Sequence, residues 1–211
     1  MIDMDTRLRL GCVVTKTESE GALLLMQRLK KAHPEAPPAL ATDARGGYED
    51  AMIETWGKVP AYQGYGRPPT RKQAGADWQY LQVKKIRSGN QIVEVKTKVV
   101  FGDPQQVVQR LGEHTAYIER SQLTSRQMNG RLVRKTLSFS KEVRRLRAAC
   151  AWEDAVYNWA RRHLSLRVES STPGRRWDQR SPAMAAGLTD HIWSVRELLT
   201  TLVVPKAINS V

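Results

Sequence analysis

The 211-residue sequence predicts an α/β fold, a mixed sheet flanked by helices. Three observations carry that expectation. Strand-like and helix-like stretches alternate along the chain. The helical stretches carry capping and stop signals. Acidic residues stand at strand and helix ends, and the carboxyl ends of strands are where such folds gather ligands.

Leu8, Leu10, Cys12 and Val14 alternate with the period of a half-buried strand, which makes Cys12 a small core residue. Thr17 with Glu20 forms a capping-box pattern, and His33-Pro34 is a stop, so a helix is expected from about 18 to 32. "PPALATD" reads as a short apolar strand ending in Asp43, and "GGYEDAMIETWG" as a helix closed by Gly57. Residues 58 to 78, rich in Pro, Gly, Lys and Arg, predict a long loop. "YLQVKKIRSGNQIVEVKTKVVFG" predicts two strands around an "RSGN" turn, with Val93, Val95, Thr97, Val99 and Phe101 on one face of the second. "DPQQVVQRLG" has an Asp cap, a Pro in the first turn and a Gly stop, the marks of a short helix.

A further helix begins near Thr115 and carries Glu119. A longer one is expected from about Ser140 to Arg162, with Val143, Leu146, Cys150 and Tyr157 along one stripe and Trp152 and Trp159 filling core. "ESSTPGRRWDQRSP" reads as a linker, followed by a short helix near 191 to 201.

The formal net charge of +13 and a pI near 10.1 point to a polyanionic partner, most often nucleic acid. From Arg120 to Arg180 there are 15 Lys or Arg against 5 Asp or Glu. Within that stretch Lys135, Lys141, Arg144, Arg145 and Arg147 are the candidate phosphate contacts. Two cysteines without metal spacing give neither a disulfide framework nor a zinc site. No apolar run approaches the roughly 18 residues of a membrane span, and the N-terminus has no apolar signal core. The expected setting is the cytoplasm, with no membrane partner, and the nucleoid if the polyanion is DNA.

Magnesium prefers oxygen ligands, keeps several waters, and needs only a few carboxylates. Asp43, after a strand, and Glu119, on a helix, can supply them from distant positions if the fold brings them together. Gln122, Leu123 and Arg126 follow Glu119 at helical spacing, so Arg126 is a candidate phosphate contact or else a surface arginine.

The segments "ALATDARGGYEDAM", "TAYIERSQLTSRQMNGRLVRKTLSFSK", "YNWARRHLSLRVE" and "RRWDQRSPAMAAGLTDHIWSVRELL", with the strand pair above, resemble insertion-sequence transposases of the DDE superfamily. Those enzymes have a retroviral-integrase-like, RNase H-like catalytic domain. The resemblance runs in order from about residue 2 to 200. It implies an RNase H-like DDE domain over 1–168, then a linker and short helical tail over 169–211. It implies a DNA transposase that cuts and joins DNA at insertion-sequence ends by metal-assisted hydrolysis and strand transfer, as a homo-oligomer. Asp43 would be the second catalytic acid and Glu119 the third, holding Mg²⁺ or Mn²⁺. His163 matches a histidine that recurs near the end of the domain, where it would orient DNA or pack a helix.

No residue here matches the first catalytic aspartate or its strand. The resemblance therefore implies a chain shortened at its N-terminus, unless Asp3 or Asp5 substitutes. The alternative function is a catalytically inactive transposase that only binds DNA or other subunits.

Overall fold

The computed structural model describes residues 1 to 44 and 46 to 201. They fall into two compact units: residues 12 to 122 form one, and residues 1 to 11 with 123 onward form the other. We call them the sheet unit and the hairpin unit.

In the sheet unit, α1 (Glu18–Lys30) starts where the capping pattern predicts, the Thr17 hydroxyl accepting the backbone N–H of Glu20 at 3.3 Å. Acids in its first turn and bases in its last complement the helix dipole. Ala22, Met26 and Leu29 are buried, and α1 packs against α2 (Tyr48–Trp56). β1 (Leu40–Asp43) pairs in parallel with β2 (Tyr80–Ser88), which pairs antiparallel with β3 (Gln91–Phe101), giving a mixed sheet in the order β1-β2-β3. The crossover between β1 and β2 contains α2, as a parallel pair requires. β2 is the central strand, with Tyr80, Leu81 and Val83 essentially inaccessible.

α3 (Pro104–Leu111) packs on β2 and β3 and buries Val107 and Leu111. Gly102 makes the link into it at φ 97, close under Trp78 and Val107. α4 (Ala116–Met128) carries Glu119 and continues into the hairpin unit. Val93 and Val95, on the outer half of β3, are exposed. The loop at 58 to 78 is irregular apart from one bridge between Lys58 and Gln73.

In the hairpin unit, α5 (Val143–Ala155) runs into a π-helical turn over Val156–Ala160. The single helix expected over 140 to 162 is thus shorter and changes winding at its end. β4 (His163–Glu169) and β5 (Trp177–Arg180) form an antiparallel hairpin. The linker expected from 169 therefore holds a strand, and the hairpin crosses the 168/169 boundary. α6 (Pro182–Ala185) and α7 (Val195–Thr200) follow, α7 opening on a full capping box from Ser194 and Glu197. Trp159 packs on Trp193 with ring centroids 4.6 Å apart. Trp152, expected in the core, is largely exposed.

The strand expected over 8 to 14 does not form. One bridge joins Ile2 and Arg9, Gly11 turns the chain at φ 134, and Cys12 is exposed. Burial falls on Arg9 instead of its apolar neighbours because a buried carboxylate draws it in: Arg9 ion-pairs with Glu153 and, at 3.2 Å, with Asp154. Its guanidinium lies 3.8 Å from the Tyr157 ring centroid. The Asn158 amide meanwhile exchanges two 2.9 Å hydrogen bonds with the Arg9 main chain, as a neighbouring strand would. No helix among the described residues is long and apolar enough to cross a membrane.

Candidate functional site

Asp43 is the last residue of β1, and the parallel register sets it beside Val83 of β2. Paired residues of a sheet face the same side, and so do residues two apart on one strand. Asp43 therefore shares a face with Leu81, Val83 and Lys85. The opposite face is marked by Thr42, whose hydroxyl lies 2.8 Å from that of Tyr80. Lys85 stands two residues, roughly 6.6 Å, past Val83 along the strand, and its Nζ donates to Glu119 Oε1 from the same face. The sheet unit thus presents both predicted acids on one side of its sheet.

Glu119 is half-exposed and doubly held: Thr115 Oγ1, one turn earlier, also donates to Oε1, at 2.7 Å. Partial burial disfavours its charge, but the bonds from Lys85 and Thr115 and the positive charges of Lys85 and Arg87 outweigh that, and its pKa lies below the ordinary glutamate value. Both contacts fall on Oε1, so Oε2 has no partner among the described residues. Beside this pair lies an open cleft of about 450 Å³ lined by Lys85, Ile92, Val95, Thr97, Glu113 and His114.

Two carboxylates fit part of what a divalent ion needs. Magnesium is commonly held by one or two carboxylates, with waters and substrate phosphate filling the remaining positions. Asp43 and Glu119 are carboxylates of that kind, on one side of the sheet. A paired-ion site needs more, and no group of three His, Cys, Asp or Glu suited to a metal occurs among the described residues. Asp3 is occupied otherwise: its Oδ1 accepts from the Thr6 N–H at 2.7 Å, the Thr6 hydroxyl at 2.6 Å and the Asp5 N–H at 3.1 Å, closing a turn. Asp5 is exposed in that turn.

The remaining candidates belong to the hairpin unit. Arg126 is half-buried in the last turn of α4. Lys135 is exposed in the turn before α5, at a left-handed φ of 56. Lys141, Arg144, Arg145 and Arg147 are exposed at the start of α5, where Arg145 pairs with Glu142 at 3.0 Å. His163 opens β4, with Nδ1 2.9 Å from the Ser165 hydroxyl and its ring edge-on to Tyr157.

Lys85 and Thr115 are the two partners of Glu119 that the structure adds. Thr115 was legible in principle, as a hydroxyl one helical turn before Glu119. Lys85 was not: "KK" gives no sign of which lysine faces α4 until the strand register is known. No family model, no curated protein and no solved structure matches the chain.

Proposed function

We propose that the chain is a DNA-processing enzyme of the insertion-sequence transposase type, cutting and joining DNA at element ends. The observation that supports it is the sheet register, which turns Asp43 to the side where Lys85 grips Glu119. Asp43 and Glu119 would hold a magnesium or manganese ion. When bound, that ion supplies Lewis-acid polarisation of a phosphodiester and lowers the pKa of a coordinated water.

The chain's own residues do the rest. Thr115 fixes the Glu119 carboxylate in position, one turn away on the same helix. Lys85 neutralises that carboxylate before substrate arrives, and its flexible ammonium can then turn to a phosphate oxygen. Exposed Lys135, Lys141, Arg144 and Arg147 offer positive charge to a DNA backbone. Joining two element ends implies at least two copies in the active complex.

A second reading, a non-catalytic DNA-binding protein of the same ancestry, is favoured by the ion pair on Glu119 and by the absence, among the described residues, of a group of three His, Cys, Asp or Glu suited to a metal. One experiment separates the two. The chain is titrated with Mg²⁺ or Mn²⁺ in an oligonucleotide joining assay, with DNA retention measured in parallel. The enzyme reading expects metal-dependent joining that is lost in Asp43→Asn and Glu119→Gln while retention persists. Retention without joining at any metal concentration supports the second reading. Absence of both rejects the two together.

A further inference from the structure

The β4–β5 hairpin carries charge that the acid pair does not use. Residues 161 to 180 hold 6 arginines against 2 acids. Along β4, His163, Ser165, Arg167 and Glu169 alternate with Leu164, Leu166 and Val168. Leu166 is buried and its neighbour Arg167 is exposed, as is Glu169 two residues on, so Arg167 and Glu169 define the outward face beyond the register shift that separates them from His163. Trp177 pairs directly with Glu169 across the ribbon and so joins the outward face.

Two guanidinium groups converge on that indole. The Arg167 Cζ lies 4.5 Å from the Trp177 ring centroid, and that of Arg176 5.3 Å. Neither arginine has a carboxylate partner among the described residues, although an acid is available on each side. Asp178 is taken by Arg175 at 3.1 Å, and Glu169 makes no ion pair. Arg176 is further fixed by its carbonyl, which accepts the Ser170 N–H at 3.1 Å at the neck of the turn.

Two like charges around one ring repel each other, and the ring offsets only part of that repulsion. Stacking occupies the planar face of a guanidinium and leaves its N–H edge to fork onto a phosphate. The ribbon is therefore pre-organised for an anion it does not itself contain.

We propose that the outer face of the β4–β5 hairpin, built on Arg167, Trp177 and Arg176, is a docking surface for the phosphate backbone of duplex DNA. It rests on the DNA-contact part of the reading above and is independent of the acid pair. Each arginine takes one phosphate, and a two-stranded ribbon has the width to track a groove about 12 Å across. Glu169, the one carboxylate on this face, limits the affinity.

The test measures binding of the full chain to a short mixed-sequence duplex over a range of salt concentrations, without divalent metal. Arg167→Ala/Arg176→Ala is expected to lower the slope of log affinity against log salt by about 2, at about 0.9 per phosphate. Arg167→Lys/Arg176→Lys is expected to restore most of the slope. Glu169→Gln is expected to tighten binding several-fold. Binding should quench tryptophan emission in the parent chain, and less so in Trp177→Phe. Circular dichroism checks that each variant is folded. If the parent binds DNA and the double alanine variant binds with the same slope, the docking surface is refuted while DNA contact stands. If the parent does not bind the duplex at all, the DNA reading fails and the surface with it. A hairpin that binds an acidic polypeptide in preference to the duplex would also overturn the proposal.

Discussion

Replacing Arg9 with methionine keeps an unbranched apolar stem and removes the charge that holds the N-terminal segment to α5. Arg9 and Glu153 are 6% and 5% exposed, so the glutamate left behind cannot rehydrate without opening the structure. Breaking a buried pair from one side costs about 3–5 kcal/mol. Loss of the guanidinium from Tyr157 adds up to about 2 kcal/mol for a desolvated cation–π contact. Some of that is recovered because Asp154 is nearer to water and the methionine still packs. The Asn158 bonds go to the Arg9 main chain and survive the change. A net loss of about 4 kcal/mol is expected, a large share of the 5–15 kcal/mol typical of a domain. The double variant Arg9→Met/Glu153→Met removes both buried charges and should return to within about 1 kcal/mol of the parent, since apolar replacements of buried pairs are often neutral. Urea unfolding followed by tryptophan fluorescence, to which Trp152, Trp159, Trp177 and Trp193 of the hairpin unit contribute, reads both. At a slope of about 2 kcal/mol/M, the single change lowers the midpoint by about 2 M. A single variant that loses under about 1 kcal/mol, or a double variant as unstable as the single, would refute the buried-charge argument.

Gly102→Ala is expected to destabilise the sheet unit by about 2 kcal/mol, because the residue sits at φ 97 and a Cβ would come within 2.8 Å of the Trp78 carbonyl oxygen and the Val107 side chain; thermal unfolding measures it, and an unchanged midpoint would contradict it. Lys85→Met should raise the pKa of Glu119, read by carbon NMR of its carboxyl. Because that pKa is depressed in the folded chain, the stabilisation it reports is full above the unfolded value and lost as pH falls through the folded one. The acid limb of a stability profile should therefore lose part of its slope in the variant. His191 is bonded on both ring nitrogens by carboxylates, at 2.6 Å to Asp190 and 2.9 Å to Glu197, and stacks near Trp193. The bonds to Asp190 and then Glu197 raise its pKa above the ordinary value of 6.5, while Glu197 is pulled down to about 2, first by the Ser194 backbone N–H. The contact to α7 is thus complete below pH 6.5 and weakens as pH rises through the raised value. Emission from Trp193 should change with a midpoint above 6.5, and a midpoint at or below it would contradict the geometry.

The parts of this fold that could be read from sequence are those set by local chemistry. Thr17 and Asp103 cap α1 and α3 where their side chains predict, and "RSGN" marks the turn between β2 and β3. The parts that could not be read depend on partners far along the chain. The alternation of Leu8, Leu10, Cys12 and Val14 suggested a strand, but burial followed Arg9 because Glu153 and Asn158 lie opposite it. β5 was hidden in a Ser, Thr, Pro and Gly-rich stretch, since a four-residue strand has too few residues to show a period. At the candidate site, Asp43 at a strand end and Glu119 near a helix start were both legible. Their common side of the sheet follows only from the register of β1 on β2.

The hairpin unit is discontinuous in the chain, with the whole sheet unit inserted after residue 11. Arg9 meets Glu153 across 144 positions of sequence and Asn158 across 149. During synthesis Arg9 emerges long before its partners Glu153 and Asn158 are made. The sheet unit has all its strands once Phe101 has emerged, and can close on its own. At about 5–20 residues per second, the stretch from residue 123 to Asn158 takes roughly 2–7 seconds to be made. For that interval Arg9 waits for Glu153 and Asn158 to be made. The order of assembly is therefore written into the connectivity: the sheet first, the Arg9 pairing last. A chain released early, after Gln122, would be expected to keep the first and never acquire the second.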